Sequence, residues 1–173
     1  MEELVDKGLV KHIGVSNFNA QSVMDLVKYA RIKPAVNQIE LHPYLTQKPF
    51  LEWLATQDIH VTAYSPLGST SYVPLGGDYG LGAGVLAEEG LQHIAARKGK
   101  SVAQIVLRWG IQRGCSVIPK SVNPDRLREN ISVFDFTLTE EEMDAIDSLN
   151  RNLRFNDPGV YGKFMGAAWP IFA

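Results

Sequence analysis

The stretch Ser116–Asn130, SVIPKSVNPDRLREN, gathers groups suited to holding an anion at one strand-to-helix junction. A short apolar run, Val117-Ile118-Pro119, ends in Lys120 and Ser121. Asn123 and Pro124 follow, and Arg126, Glu129 and Asn130 stand at helical spacing on one face. Pro124 suits a first helical turn, where a missing N–H costs nothing. Free N–H groups at a helix start favour an anion. Arg126 offers a planar fork that matches a phosphate bidentately, and Lys120 adds a second cation. Ser121 and Asn123 add neutral hydrogen-bond partners. The set suits a phosphomonoester on a ribose, with Glu129 and Asn130 placed to meet the exocyclic amine of an adenine. A solvated amphipathic helix with a few salt bridges fits the same pattern, and composition alone does not choose between the two.

The elements that must position these groups are short. Four runs rich in Val and Ile read as buried parallel strands: Lys11–Val15, Pro34–Ile39, Ile59–Tyr64 and Cys115–Pro119. Helical patterns lie between them. Asn19 is expected to cap a helix to about Tyr29, with Val23, Leu26 and Val27 inward. Thr46 is expected to cap the next, with Phe50, Leu51 and Leu54 inward. Ser101–Gln104 and Thr139–Glu142 have capping-box spacing before apolar stripes. Strands alternating with helices predict parallel βα units, whose ligands bind at the C-terminal ends of the strands. Ser16-Asn17, Gln38 with Glu40, Tyr64-Ser65 and Lys120-Ser121 all fall there. The Gly-rich insert 66–85 reads as a flexible loop that closes over a ligand.

With 173 residues and 45% hydrophobic content the chain is expected to build one globular domain. A net charge of -2 gives no reason to expect a nucleic-acid partner. The lone Cys115 lies in an apolar run and suits a small buried side chain in a reducing, cytoplasmic compartment. No apolar run approaches the roughly 18–20 residues of a membrane span. No metal-ligand spacing stands out, and the opening MEELVDKG reads as a helix stopped at Gly8.

Four segments, MEELVDKGLVKHIGVSNFN, VNQIELHPYL, VTAYSPLGS and VIPKSVNPDRLREN, resemble successive signatures of the aldo-keto reductase family. That resemblance covers nearly the whole chain. It implies an α/β chain forming the C-terminal half of a (β/α)8 TIM barrel, strands five to eight plus the tail, as one partial domain over 1–173. It also implies NADPH-dependent reduction of a small-molecule carbonyl. By motif, Ser16, Asn17 and Gln38 resemble the residues that hold the nicotinamide carboxamide, and Tyr64 the residue that stacks on its ring. Ser65, Leu67 and Ser69 resemble those along the pyrophosphate. Lys120, Ser121, Val122, Asn123 and Arg126 resemble the 2′-phosphate site, and Glu129 and Asn130 the adenine contacts. The insert 66–85 sits where the family folds a loop over NADP(H).

The family's catalytic Asp, Tyr, Lys and His come from the first half of the barrel, so the expectation is that this chain carries no catalytic residue of its own. His42 matches a structural position, and His12, His60 and His93 have no paired acid in the sequence pattern. The tail 151–173 resembles those of xylose and aldose reductases, with Asn156 and Trp169 as candidates for a substrate wall; packing across the barrel end explains them equally well. The expected partner is an N-terminal half or a second copy, because four strands leave two open edges and an apolar inner face without its opposing wall. The alternatives are a non-catalytic nucleotide-binding half-barrel and a regulatory subunit.

Overall fold

Each short β-branched run does become a strand followed by a helix, although the helix after the last strand, Pro124–Ile131, buries none of its side chains. The computed structural model of the protein describes residues 1–68 and 84–157. In chain order the elements are α1 (Glu2–Asp6), β1 (Gly14–Ser16), α2 (Ala20–Tyr29), β2 (Val36–Glu40), α3 (Lys48–Thr56), β3 (His60–Tyr64), a 3-10 turn (Val85–Ala87), α4 (Glu89–Lys98), α5 (Val102–Gln112), β4 (Ser116–Val117), α6 (Pro124–Ile131) and α7 (Glu140–Asp147). The strands form one parallel sheet in the order β1-β2-β3-β4. Among the described residues the sheet is open, and β1 and β4 are its edges.

The strand bounds differ from the sequence expectation for local reasons. β1 begins at Gly14, because Lys11 and His12 are exposed ahead of the sheet. β2 begins after Pro34, which has no N–H for a ladder. β4 is only Ser116–Val117; Ile118 still donates to Ala63 O at 3.2 Å, and Pro119 cannot continue the pattern. Helix starts follow their caps. Asn19 Oδ1 accepts from Ser22 N at 2.8 Å, and both predicted capping boxes form. Thr46 does not cap α3. Its N–H is tied to Asn150 Oδ1 at 3.2 Å, and the chain turns one residue later, at Gln47 with φ 47°. The helix α4 has no side-chain cap at Glu88, so it lacked a start signal; Gly99, with φ 62°, ends it.

Alternation along the strands sorts the two faces of the sheet. Asn37 aligns with Val61 and Ile39 with Ala63, and all four are buried. Ile39, Val61 and Ala63 join Leu54, Leu91, Ile105, Trp109 and Ile146 in one core. On the other face Ser16, Gln38, Thr62 and Ser116 align in one row, and none of them is buried. The expected apolar inner face is therefore corrected. Most of the strand Val, Ile and Ala point toward the helices, and the central row of the opposite face is polar.

Among the described residues, every exposed large apolar side chain falls between Met1 and Tyr29 or between Ile118 and Phe134. Leu9, Tyr29 and Val122 are 70, 79 and 82% exposed. These two stretches contain the edge strand β1 with α1 and α2, and the α6 unit that follows the edge strand β4. The central β2 and β3 units leave none. No helix among the described residues is long and apolar enough to cross a membrane.

Candidate functional site

Because the strands are parallel, their C-terminal ends share one rim, and the polar side chains named from sequence meet there. Ser16 Oγ donates to Gln38 O at 3.0 Å, and Asn17 N donates to the same carbonyl at 2.9 Å. The Tyr64 hydroxyl donates to Asn17 Oδ1 at 2.9 Å and accepts from Asn156 Nδ2 at 3.3 Å. Thus Ser16, Asn17, Gln38, Tyr64 and Asn156, drawn from three strands and the tail, form one cluster. Asn17 and Ser65 hold left-handed backbone, φ 58° and 48°, directly after β1 and β3. Such conformations cost energy and gather at functional turns. Ser65 O accepts from Gly68 N at 2.9 Å. Only glycine fits that turn: φ is 79°, and a Cβ on Gly68 would lie 2.8 Å from Val85 Cγ2. Leu67 packs against the core, so a ligand role for it rests on its backbone.

After β4 the chain leads through Lys120, Ser121 and the exposed Val122 into α6. Asn123 Oδ1 accepts from Asp125 N at 2.9 Å and Arg126 N at 3.1 Å, while Ser121 Oγ accepts from Asn123 N at 3.1 Å. This corrects the expectation of free N–H groups at the α6 start: Asn123 has already satisfied them, and Pro124 has none. Any anion there must be held by side chains. Arg128, not Arg126, pairs with Asp125, at 2.8 Å. Among the described residues no hydrogen bond or ion pair engages the side chains of Lys120, Arg126 or Gln38. Glu129 is exposed and Asn130 half-exposed on the same helix. Ser69, Trp169, the insert from 69 to 83 and the tail from 158 lie outside the described residues.

One group was expected only as a polar residue at a strand end, with no further role. Glu40, at the end of β2, is fully buried. Its Oε1 accepts from Phe155 N at 2.7 Å and lies 2.9 Å from His42 Nε2. Its Oε2 accepts from Asn156 N at 3.0 Å and lies 3.7 Å from Arg154. The signal available was a carboxylate inside the apolar run QIELHPYL; apart from His42, its partners lie more than a hundred positions away. Tyr44 O adds to the junction by accepting from Arg151 N and Leu153 N.

Other reactive types are occupied or quenched. Burial pushes the Cys115 thiol up to about 11, against the lowering effect of Arg113. Burial, then the hydrogen bond to Glu88, pushes Tyr44 up to about 12. His60 Nε2 lies 2.8 Å from Ser116 Oγ on the polar sheet face. Among the described residues no cluster of three His, Cys, Asp or Glu is placed to hold a metal ion.

A parallel βα sheet with its polar groups gathered on the C-terminal rim is the ligand-binding arrangement of barrel-type α/β proteins. The profile of the Aldo/keto reductase family matches residues 1–151, and the chain belongs to that family. An NAD(P)H-dependent D-xylose reductase of Aspergillus niger is 50% identical over 173 residues, covering 99% of this chain and 53% of the relative. The 4-dihydromethyl-trisporate dehydrogenase of Mucor mucedo is 46% identical over 162 residues, covering 94% of this chain and 50% of its own length. The chain thus spans about half the length of the curated relatives it matches. Among solved structures, a Bombyx mori aldo-keto reductase in complex with NADP matches with a TM-score of 0.84 at 41% identity. That match covers 94% of this chain and 52% of the other. An aldo-keto reductase enzyme from a Medee basin deep-sea metagenome library matches with a TM-score of 0.80 at 39% identity, covering 89% and 53%.

Proposed function

We propose that this chain supplies strands five to eight of an aldo-keto reductase barrel and binds NADP(H) on its C-terminal rim, for reduction of an aldose or aldehyde carbonyl to the alcohol. The observation that carries the reading is the convergence of Ser16, Asn17, Gln38, Tyr64 and Asn156 on one rim. The fit to a dinucleotide phosphate rests on Lys120 and Arg126, two exposed cations with no internal partner among the described residues, on the unit after the next strand. Ser16, Asn17 and Gln38 would hold the nicotinamide carboxamide, Tyr64 its ring, and Ser65 and Leu67 the pyrophosphate. Lys120, Ser121, Val122, Asn123 and Arg126 would surround the 2′-phosphate, and Glu129 and Asn130 the adenine. When bound, the dinucleotide supplies the hydride for the carbonyl carbon.

This chain's residues bind and orient; the proton for the alcohol oxygen is assigned to a complementary set of four βα units. Two features support such a partner. Among the described residues the sheet has two open edges, and the exposed apolar side chains sit in the two units at those edges. A second reading, a nucleotide-binding module without chemistry, is favoured by the polar row Ser16, Gln38, Thr62 and Ser116, which lets an open half-barrel meet water. Co-expression with the first four βα units of a D-xylose reductase separates the two. Co-purification in high salt with NADPH-dependent xylose reduction, absent from either half alone, is the expected result. A chain that binds NADP+ but never gains activity from the added half supports the module instead.

A further inference from the structure

We infer that Glu40 is a positioning residue: its buried carboxylate fixes the base of the tail so that Asn156 holds the Tyr64 hydroxyl and, through it, aligns Tyr64 with Asn17. The inference deepens the NADP(H) reading and rests on it. The chain of contacts is continuous. Both Glu40 oxygens are filled from residues 154–156 and His42, and the Asn156 N–H is one of their donors. The side chain of that same Asn156 donates to the Tyr64 hydroxyl, which donates to Asn17 Oδ1. So a carboxylate under the rim, fully out of water, governs where two rim side chains point.

The chemistry calls for a carboxylate. Two oxygens, each accepting on its own side, meet two backbone N–H groups, an imidazole N–H and a nearby guanidinium. An amide offers one accepting oxygen, and its NH2 would face a donor. Losing an acceptor for buried backbone donors is costly, because each is left without a partner. Among the described residues His42 Nδ1 has no hydrogen-bond partner, so Glu40 is the group there that favours an N–H on Nε2. The ring also packs on Phe155, centroid to centroid 4.8 Å, a second contact to the same tail segment.

The device acts on the nicotinamide end of the site, and the opposite end lies on the α6 unit. A split between ligands therefore reads it. Titrate the full chain, and its Glu40→Gln and Asn156→Ala variants, with NADP+ and with adenosine 2′,5′-bisphosphate, which lacks the nicotinamide. Follow amide hydrogen exchange at Phe155 and Asn156 in parallel. Glu40→Gln is expected to weaken NADP+ roughly three- to tenfold, the effect of one lost hydrogen bond, and to leave the bisphosphate unchanged. Exchange at Phe155 and Asn156 should quicken in the same variant. Asn156→Ala removes the link to Tyr64 while keeping the backbone N–H that Glu40 holds, and should reproduce the selective loss, including where Glu40→Gln does not fold. Equal losses for both ligands in Asn156→Ala, or no loss, overturn the inference while leaving the cofactor reading in place. A wild-type chain that folds and binds neither ligand overturns the cofactor reading and this inference with it.

Discussion

Replacing Arg126 by alanine tests the phosphate end of the site with little structural side effect. The side chain is exposed and makes no ion pair or hydrogen bond among the described residues, so its removal leaves no buried group without a partner. The α6 start is held by Asn123 through the Asp125 and Arg126 backbone N–H groups, which the substitution keeps. Stability should therefore change by no more than about 0.5 kcal/mol, as at most exposed positions. Affinity should change more. A hydrogen bond to a charged group contributes about 1.5–3 kcal/mol, and solvent and salt around an exposed guanidinium favour the lower end. About 1.5 kcal/mol corresponds to roughly a tenfold weaker Kd for NADP+. NAD+ lacks the 2′-phosphate, and its Kd should shift by less than about twofold on the same scale. Isothermal titration of both nucleotides, at low and at moderate salt, gives the comparison. The NADP+ loss should shrink as salt rises. Equal losses for the two nucleotides, or a wild-type chain without preference between them, would refute the assignment of Arg126 to the phosphate.

Two further outcomes follow from titratable groups away from the rim. Glu142, the reciprocal partner in the α7 capping box, is nearly buried; burial raises its pKa, but the Thr139 N–H and the Lys98 and Arg97 cations outweigh this and hold it below the ordinary 4.5. With a depressed folded value, its stabilisation is complete above 4.5 and is lost as pH falls through the lower folded value. Urea unfolding should then show Glu142→Gln less stable than wild type at neutral pH, with the gap closing below 4.5; a gap independent of pH contradicts this. Cys115 is 5% exposed, and burial pushes its thiol up to about 11. A chromogenic aromatic disulfide should leave it unmodified in the native chain at neutral pH and label it once in guanidinium. Rapid native labelling would show an opening of the core beside Arg113 that the packing does not provide.

The strand-helix alternation was legible because strands buried on one face here are short Val- and Ile-rich runs, and because Asn19, Ser101 and Thr139 carry the chemistry of a helix start. The helix α4 was not, since Glu88 makes no cap and only Leu91, Ile94 and Ala95 are buried. At the phosphate end the residue types were readable but their internal commitments were not. Asn123 had to be seen in three dimensions before its oxygen was known to be occupied by α6. Glu40 was hidden for a different reason. Its donors Phe155 and Asn156 lie 115 and 116 positions away, and no local pattern encodes a contact at that separation. Asn156 was picked out from the tail alone, as a substrate contact; the structure brings it to the Tyr64 hydroxyl instead of leaving it only near the rim.

The parity of the strands bears on how a complementary half would dock. Had the strand Val, Ile and Ala faced the barrel interior, an isolated sheet would expose them as one broad apolar surface and collapse on itself. Most of them point to the helices instead, and the central row of the opposite face is Ser16, Gln38, Thr62 and Ser116. The attraction for a second half is then concentrated at the edges. There, β1 and β4 each have a neighbouring strand on one side only among the described residues, and neighbouring units hold Leu9, Tyr29, Val122 and Phe134 in water. Two edges on one half call for two edges on the other, so a single added strand cannot satisfy the surface, whereas four βα units or a second copy of the chain can. Between these, a second copy would bring the same rim twice, whereas four different units would bring a different set of rim residues, the proton donor proposed above among them.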